Sequence, residues 1–209
     1  MKISSLLILL LFVPLVDGQD TSKTRAPIVG RDAAVEPAYD SQGRLQPPLK
    51  YREWIYLTSG LDMSYTPKPE MEMGSMFDNV FVNPAAYHAF LETGTWPDKT
   101  ILVLEQRNAE GPSSINKRGH SQSSDIMGFE VHVRDEAKTP GKWAFYEFDN
   151  ARPAEQIPLA ASCYSCHEQH GAVATTFVQF YPTLLPVAKQ KKTLGAAYLK
   201  EISTEPTNR

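Results

Sequence analysis

Cys163-Tyr164-Ser165-Cys166-His167 is the segment whose residue types and spacing prescribe a chemistry. Two cysteines three positions apart occupy neighbouring places on one helical turn. Each thiol can add to one vinyl group of a porphyrin. The histidine that follows can then turn its imidazole under the ring and bind iron. Cys-x-x-Cys-His is the attachment signature of a c-type haem, and one motif means one haem. Other uses of the pair stay open. A local disulfide suits an oxidising compartment. A thioredoxin-like redox motif needs a βαβ context that the chain does not show. A structural zinc needs four ligands, and only Cys163, Cys166, His167 and His170 are near.

The other axial position of such an iron decides the function. Filled by a strong protein ligand, it makes an electron carrier; open, it binds small molecules or does chemistry. Candidate ligands are His88, His120, His132 and His170, and a methionine group of Met63, Met71, Met73 and Met76. His170 follows His167 by three positions, so it cannot easily reach the opposite haem face. His132 falls in a strand pattern, and His88 points to solvent from a helix pattern.

The elements that must position the motif can be read along the chain. Residues 1–18 carry Lys2 and then an apolar stretch from Ile3 to Val16. They read as an export signal cleaved near Gly18, too short to span a membrane. The expected location is periplasmic or secreted, with no stable membrane insertion. Residues 19–47 are polar and proline-punctuated and read as an extended leader. The haem domain is expected at 48–190, followed by a tail at 191–209.

Within that domain, 51–57 suits either a strand or a short helix, and 60–76 reads as a loop. Asn79 to Val82 reads as a strand. Asn83-Pro84 opens a helix that Gly94 closes, with Asn as N-cap. Thr100 to Glu105 is a β-branched strand, and 108–124 a polar loop. Ile126 to Arg134 and Lys142 to Phe148 flank a turn at Thr139-Pro140-Gly141 and form a hairpin. Helix is expected around 163–171 and 175–189. The fold class is α+β, a small antiparallel sheet flanked by helices with the haem motif on a C-terminal segment.

Composition bounds the rest. The chain has 209 residues, enough for one sizeable core. Its net charge of −3 provides no basic surplus for nucleic acid. Two cysteines exclude a disulfide-rich scaffold.

Beyond the haem motif, a set of segments in fixed order resembles the cytochrome P-460 family, which includes the cytochromes c′-beta. They are Tyr51 to Tyr56, Phe77 to Pro84, Trp96 to Glu105, Gly128 to Glu130, Gly141 to Tyr146, Cys163 to His167 and Phe177 to Pro182. The resemblance covers about Leu49 to Leu185. It implies a mostly antiparallel β domain, a homodimer, and a five-coordinate haem with His167 as the sole protein ligand. Its hydroxylamine-oxidising branch carries a lysine cross-linked to the porphyrin and an acid that relays protons. Its c′-beta branch has an apolar, often Phe-capped pocket that binds nitric oxide and carbon monoxide.

This chain has Leu104 where the resemblance places the cross-linking lysine. Lys99 is five positions away, on the other face of a regular strand. Just before the motif, 157–161 contains no acid, and Glu155 is the nearest. Leu104, Phe81, Phe129 and Phe145 are the candidates for an apolar distal pocket, the aromatics serving equally as core. The leading expectation is an exported mono-haem cytochrome that binds nitric oxide or a similar small gaseous or nitrogenous ligand and exchanges electrons with a partner protein. The alternatives are a hydroxylamine-oxidising enzyme and a six-coordinate electron carrier.

Overall fold

Five β-branched and aromatic runs pair edge to edge and leave the apolar face of each strand to be covered twice, once on either side. A computed structural model describes residues 35–65, 74–149 and 151–204. The expected export segment and its expected cleavage site lie outside them, as do Met71 and Met73. The strands are β1 Ile55–Leu61, β2 Met76–Val82, β3 Thr100–Glu110, β4 Ser121–Gln122, β5 Gly128–Arg134 and β6 Trp143–Phe148. The helices are α1 Pro84–Thr93, α2 Ser162–His170, α3 Leu185–Lys191 and α4 Ala196–Thr204. The sheet is antiparallel in the order β1-β2-β3-β5-β6, with β4 paired to the far end of β3. This is the expected α+β architecture.

Strand alternation sorts the side chains onto two faces. One face carries Ile101, Val103, Phe129, Val131, Val133, Ala144, Tyr146 and Phe148 into a core closed by Leu45, Tyr51 and Trp54. The other carries Val82, Leu102, Trp143 and Phe145 into a core shared with Ala86 and Phe90 of α1, Trp96, and Leu184 and Ala188 at α3. A bulge in β1 lets Tyr56 oppose Phe81 and Thr58 oppose Val80, one extra residue on β1. The bulge turns Thr58 and Gly60 onto the face of the second core.

Several segments differ from their sequence patterns. The end of the leader is part of the fold, because Leu45 is buried and pairs with Ala154. The expected tail contains α4, which packs on α2. β2 begins at Met76 and β3 runs on to Glu110, inside stretches read as loops, because paired neighbours supply the hydrogen bonds that weak propensity does not. Asn83 sits at the N-cap of α1 but its side chain caps nothing. Its Oδ1 accepts from the Ile101 N–H at 2.9 Å, and its Nδ2 donates to the Lys99 carbonyl at 3.1 Å. The side chain thus ties the helix start to β3.

Candidate functional site

Helix α2 is anchored through Tyr164, one of the two residues between the cysteines. Its hydroxyl donates to the Ile157 carbonyl at 3.1 Å and accepts from the Phe145 N–H at 3.0 Å. Its ring stacks on Phe145, centroids 4.2 Å apart and planes within 3°. Phe145 stacks in turn on His132, its cross-strand partner, at 3.9 Å. With that face fixed, positions 163, 166 and 167 point inward together and Ser162 also lines the cavity, while Ser165 and Glu168 are exposed. The two thiols are not bonded to one another.

Cys163, Cys166 and His167 open onto a cavity of about 530 Å³ between α2 and the sheet. That volume is in the range of sites holding a whole cofactor. Its sheet wall follows the register. One row is Val80, Leu104 and Glu130, with Glu147 beyond it; the next is Asp78 and Gln106. Phe177, Phe180 and Tyr181 close another side, and Met63, Tyr65 and Met76 also line it.

The His167 ring is oriented by the chain itself. Its Nδ1 lies 2.9 Å from the Thr175 carbonyl. A carbonyl only accepts, so Nδ1 carries the hydrogen and Nε2 keeps its lone pair. Ring contacts with Phe177 at 4.2 Å and Phe145 at 4.7 Å fix the plane. Burial, opposed by the Thr175 bond, holds the imidazole below its ordinary pKa and so keeps it neutral. A neutral, tautomerically fixed imidazole backed by a carbonyl is the form that binds a metal. Two thiols on one helical turn, this imidazole and the cavity they share fit a c-type haem.

The loop that supplies the carbonyl is held on both flanks. Trp143 Nε1 donates to the Ala174 carbonyl at 2.8 Å, and Trp96 Nε1 to Thr176 Oγ1 at 2.8 Å. Thr176 Oγ1 donates onward to the Val173 carbonyl at 2.7 Å. Ala174 and Thr175 adopt left-handed φ of 45° and 60°. Non-glycine residues hold that conformation only where their surroundings impose it. Gly171 must be glycine for space. A Cβ there would lie 2.5 Å from the Thr175 carbonyl carbon and 2.6 Å from the His167 carbonyl oxygen. Gly171, Thr175, Trp96 and Trp143 were missed as site residues. Two tryptophans whose indole N–H groups need partners were the available signal.

The other expectations divide by face. Leu104 lines the cavity, and Phe145 packs against the His167 imidazole. Phe81 and Phe129 do not join them. Both lie on the opposite face around Tyr51, where Phe129 stacks on Phe148 at 4.8 Å. The physical reason is parity: odd positions of β2 and β5 turn away from the cavity. The same parity adds polar groups to a mainly apolar lining, because even positions bring in Asp78, Gln106 and Glu130 beside Val80 and Leu104. Lys99 forms an ion pair with Asp135, away from the cavity lining.

Among the axial candidates, His88 and His120 are exposed, and His170 Nδ1 lies 3.0 Å from Glu201. His132 lines the cavity, but its ring centre is 4.8 Å from that of His167. Imidazoles on opposite sides of one metal stand about 6 Å apart, given bonds of about 2 Å. His132 is therefore a neighbour of His167 and not its opposite. Burial first, then His167, pushes its pKa well down. The Met63 thioether rests on the bare backbone of Gly60, in space that any Cβ there would take.

The model of the family described as Cytochrome P460 matches residues 48–178. No curated protein matches the chain.

Proposed function

The chain belongs to the cytochrome P460 family, which makes it a haem protein, and from this premise we propose that it holds one c-type haem, with His167 as the axial ligand and the opposite position open to nitric oxide or a similar small ligand. When bound, the haem supplies an iron that takes up such ligands and exchanges electrons. Cys163 and Cys166 would hold it through thioether bonds to its two vinyl groups. His167 presents Nε2, and Thr175 fixes that presentation through Nδ1. Phe145, Phe177 and His132 surround the imidazole and keep water from it. The observation that carries the reading is the convergence of both thiols and the oriented imidazole on one cavity.

Two further observations favour an open, uncross-linked site. Leu104 stands on the wall where a cross-linking lysine would be, and Lys99 is engaged by Asp135. Met63 is folded onto β1. Hydroxylamine oxidation is a second reading, favoured by Asp78 and Glu130, which could accept the protons that such a reaction releases. The Lys2-led apolar stretch of residues 1–18 supports a periplasmic or secreted protein, and the family resemblance supports a homodimer.

The test is the optical spectrum of the exported holoprotein, oxidised and reduced, with and without carbon monoxide. A high-spin haem with an ordinary reduced c-type Soret band that shifts on carbon monoxide is expected. Lys99→Ala should leave that spectrum unchanged. A strongly red-shifted reduced Soret band would establish a cross-link and the hydroxylamine reading. A low-spin spectrum indifferent to carbon monoxide would establish an electron carrier.

A further inference from the structure

Asp78 and Glu130 are acidic side chains on the sheet wall of the cavity, and neither pairs with a lysine or arginine among the described residues. Asp78 accepts from Gln106 Nε2 at 3.3 Å. Glu130 lies between Leu104 on β3 and Glu147 on β6, with His132 Nε2 4.0 Å away. The described lining contains no lysine or arginine at all. Its other titratable members are Tyr65, His132, Cys163, Cys166, His167 and Tyr181.

This arrangement works against stability. Like charges directly opposite on neighbouring strands, as Glu130 and Glu147 are, repel. Burial raises the pKa of both acids, helped for Glu130 by Glu147 and Asp78 and opposed for Asp78 by the Gln106 bond. Local rules broken without a structural gain tend to mark function.

We propose that Asp78 and Glu130 form a charge filter that admits neutral or cationic small ligands to the haem and rejects anions. This rests on the open-site reading above. A carboxylate in a partly enclosed, low-dielectric wall repels an anion far more strongly than it would in water. A neutral diatomic such as nitric oxide or carbon monoxide carries no charge to repel. A protonated amine, or a ligand with N–H or O–H groups, can donate to either acid. The ligand class is therefore neutral or positively charged nitrogen compounds, and azide, fluoride and nitrite fall outside it.

The experiment titrates azide and fluoride into the ferric holoprotein, nitric oxide into the same form, and carbon monoxide into the ferrous form. Wild type is compared with Asp78→Asn, Glu130→Gln and the double variant. Each lost charge should tighten azide and fluoride about tenfold, the size of a unit-charge repulsion across roughly 10 Å at an effective dielectric constant near 20. Nitric oxide and carbon monoxide affinities should move less than about twofold, since neither carries charge. Should Asp78→Asn not fold, Glu130→Gln and the more exposed Glu147→Gln still read the same field. Carbon monoxide binding with azide affinity unchanged across these variants overturns the filter alone. No carbon monoxide binding by wild type overturns the open site, and the filter with it.

Discussion

Gly171→Ala tests how the chain orients His167. The added Cβ would lie 2.5 Å from the Thr175 carbonyl carbon, 2.6 Å from the His167 carbonyl oxygen and 2.7 Å from the Thr175 Cα. All three are backbone atoms, so no side chain can swing aside. Restoring ordinary contact requires the 171–175 loop to move by roughly 1 Å, and overpacking of this kind costs about 1–3 kcal/mol. The His167 Nδ1 to Thr175 carbonyl distance is 2.9 Å. An opening of that size breaks the bond, adding about 1 kcal/mol. The total of about 2–4 kcal/mol corresponds to a Tm loss of roughly 5–15 °C in a chain of this length. Thermal unfolding by circular dichroism reads the stability, and resonance Raman of the iron–histidine stretch reads the imidazole. The haem should stay attached through Cys163 and Cys166 while the stretch broadens and shifts. Thr175→Ala keeps the carbonyl and should preserve the stretch. A Gly171→Ala protein with both readouts unchanged would refute the claim that this loop orients the ligand.

Three more outcomes are expected. Trp143→Phe removes the donor to the carbonyl of Ala174, an exposed residue whose carbonyl water can then reach. It should cost about 1 kcal/mol, seen as a lower urea midpoint. On the opposite face, Glu105 is buried among Tyr51, Arg52 and Arg107. Burial alone would raise its carboxyl, but hydrogen bonds from Arg107 and Tyr51, with both arginine charges, hold it below the ordinary value of 4.5. A carboxyl lowered by folding adds stability above its unfolded pKa and loses it as pH falls through the folded one. Stability should therefore decline below about pH 4.5, and Glu105→Gln should flatten that decline in acid unfolding followed by fluorescence. Glu105→Ala should cost about 3 kcal/mol at neutral pH, because Arg107 is left without its partner.

The residues legible in the sequence were those whose spacing is local. Cys163, Cys166 and His167 share one helical turn, so a five-residue pattern already puts them on one side. The strands 79–82, 100–105 and 126–134 were visible through branched and aromatic runs, the last beginning two residues too early, and so was their antiparallel pairing. Which face of each strand meets the haem motif was not visible. Alternation gives two interchangeable faces, and both are apolar here because the sheet is covered on both sides. Choosing Phe81 and Phe129 with Leu104 mixed the parities. Register is a tertiary fact: Val80, Leu104 and Glu130 align only once β2, β3 and β5 are paired.

The carbonyl behind His167 was hidden for a different reason. It belongs to a residue with no side-chain signature, in a loop whose shape is set by indoles 32 and 79 positions away from Thr175 in the chain, at Trp143 and Trp96. The left-handed Ala174 and Thr175 are conformations that neither residue favours alone. They persist because Gly171 allows the chain to close tightly behind the helix and because both indoles require acceptors. On the proposed reading the motif would supply the atoms that hold a haem, while the direction of the His167 imidazole is set by residues outside it. A substitution at Gly171 or Trp143 should therefore alter the iron–histidine bond without touching haem attachment, and His167→Ala should remove that bond while Cys163 and Cys166 keep the haem in place.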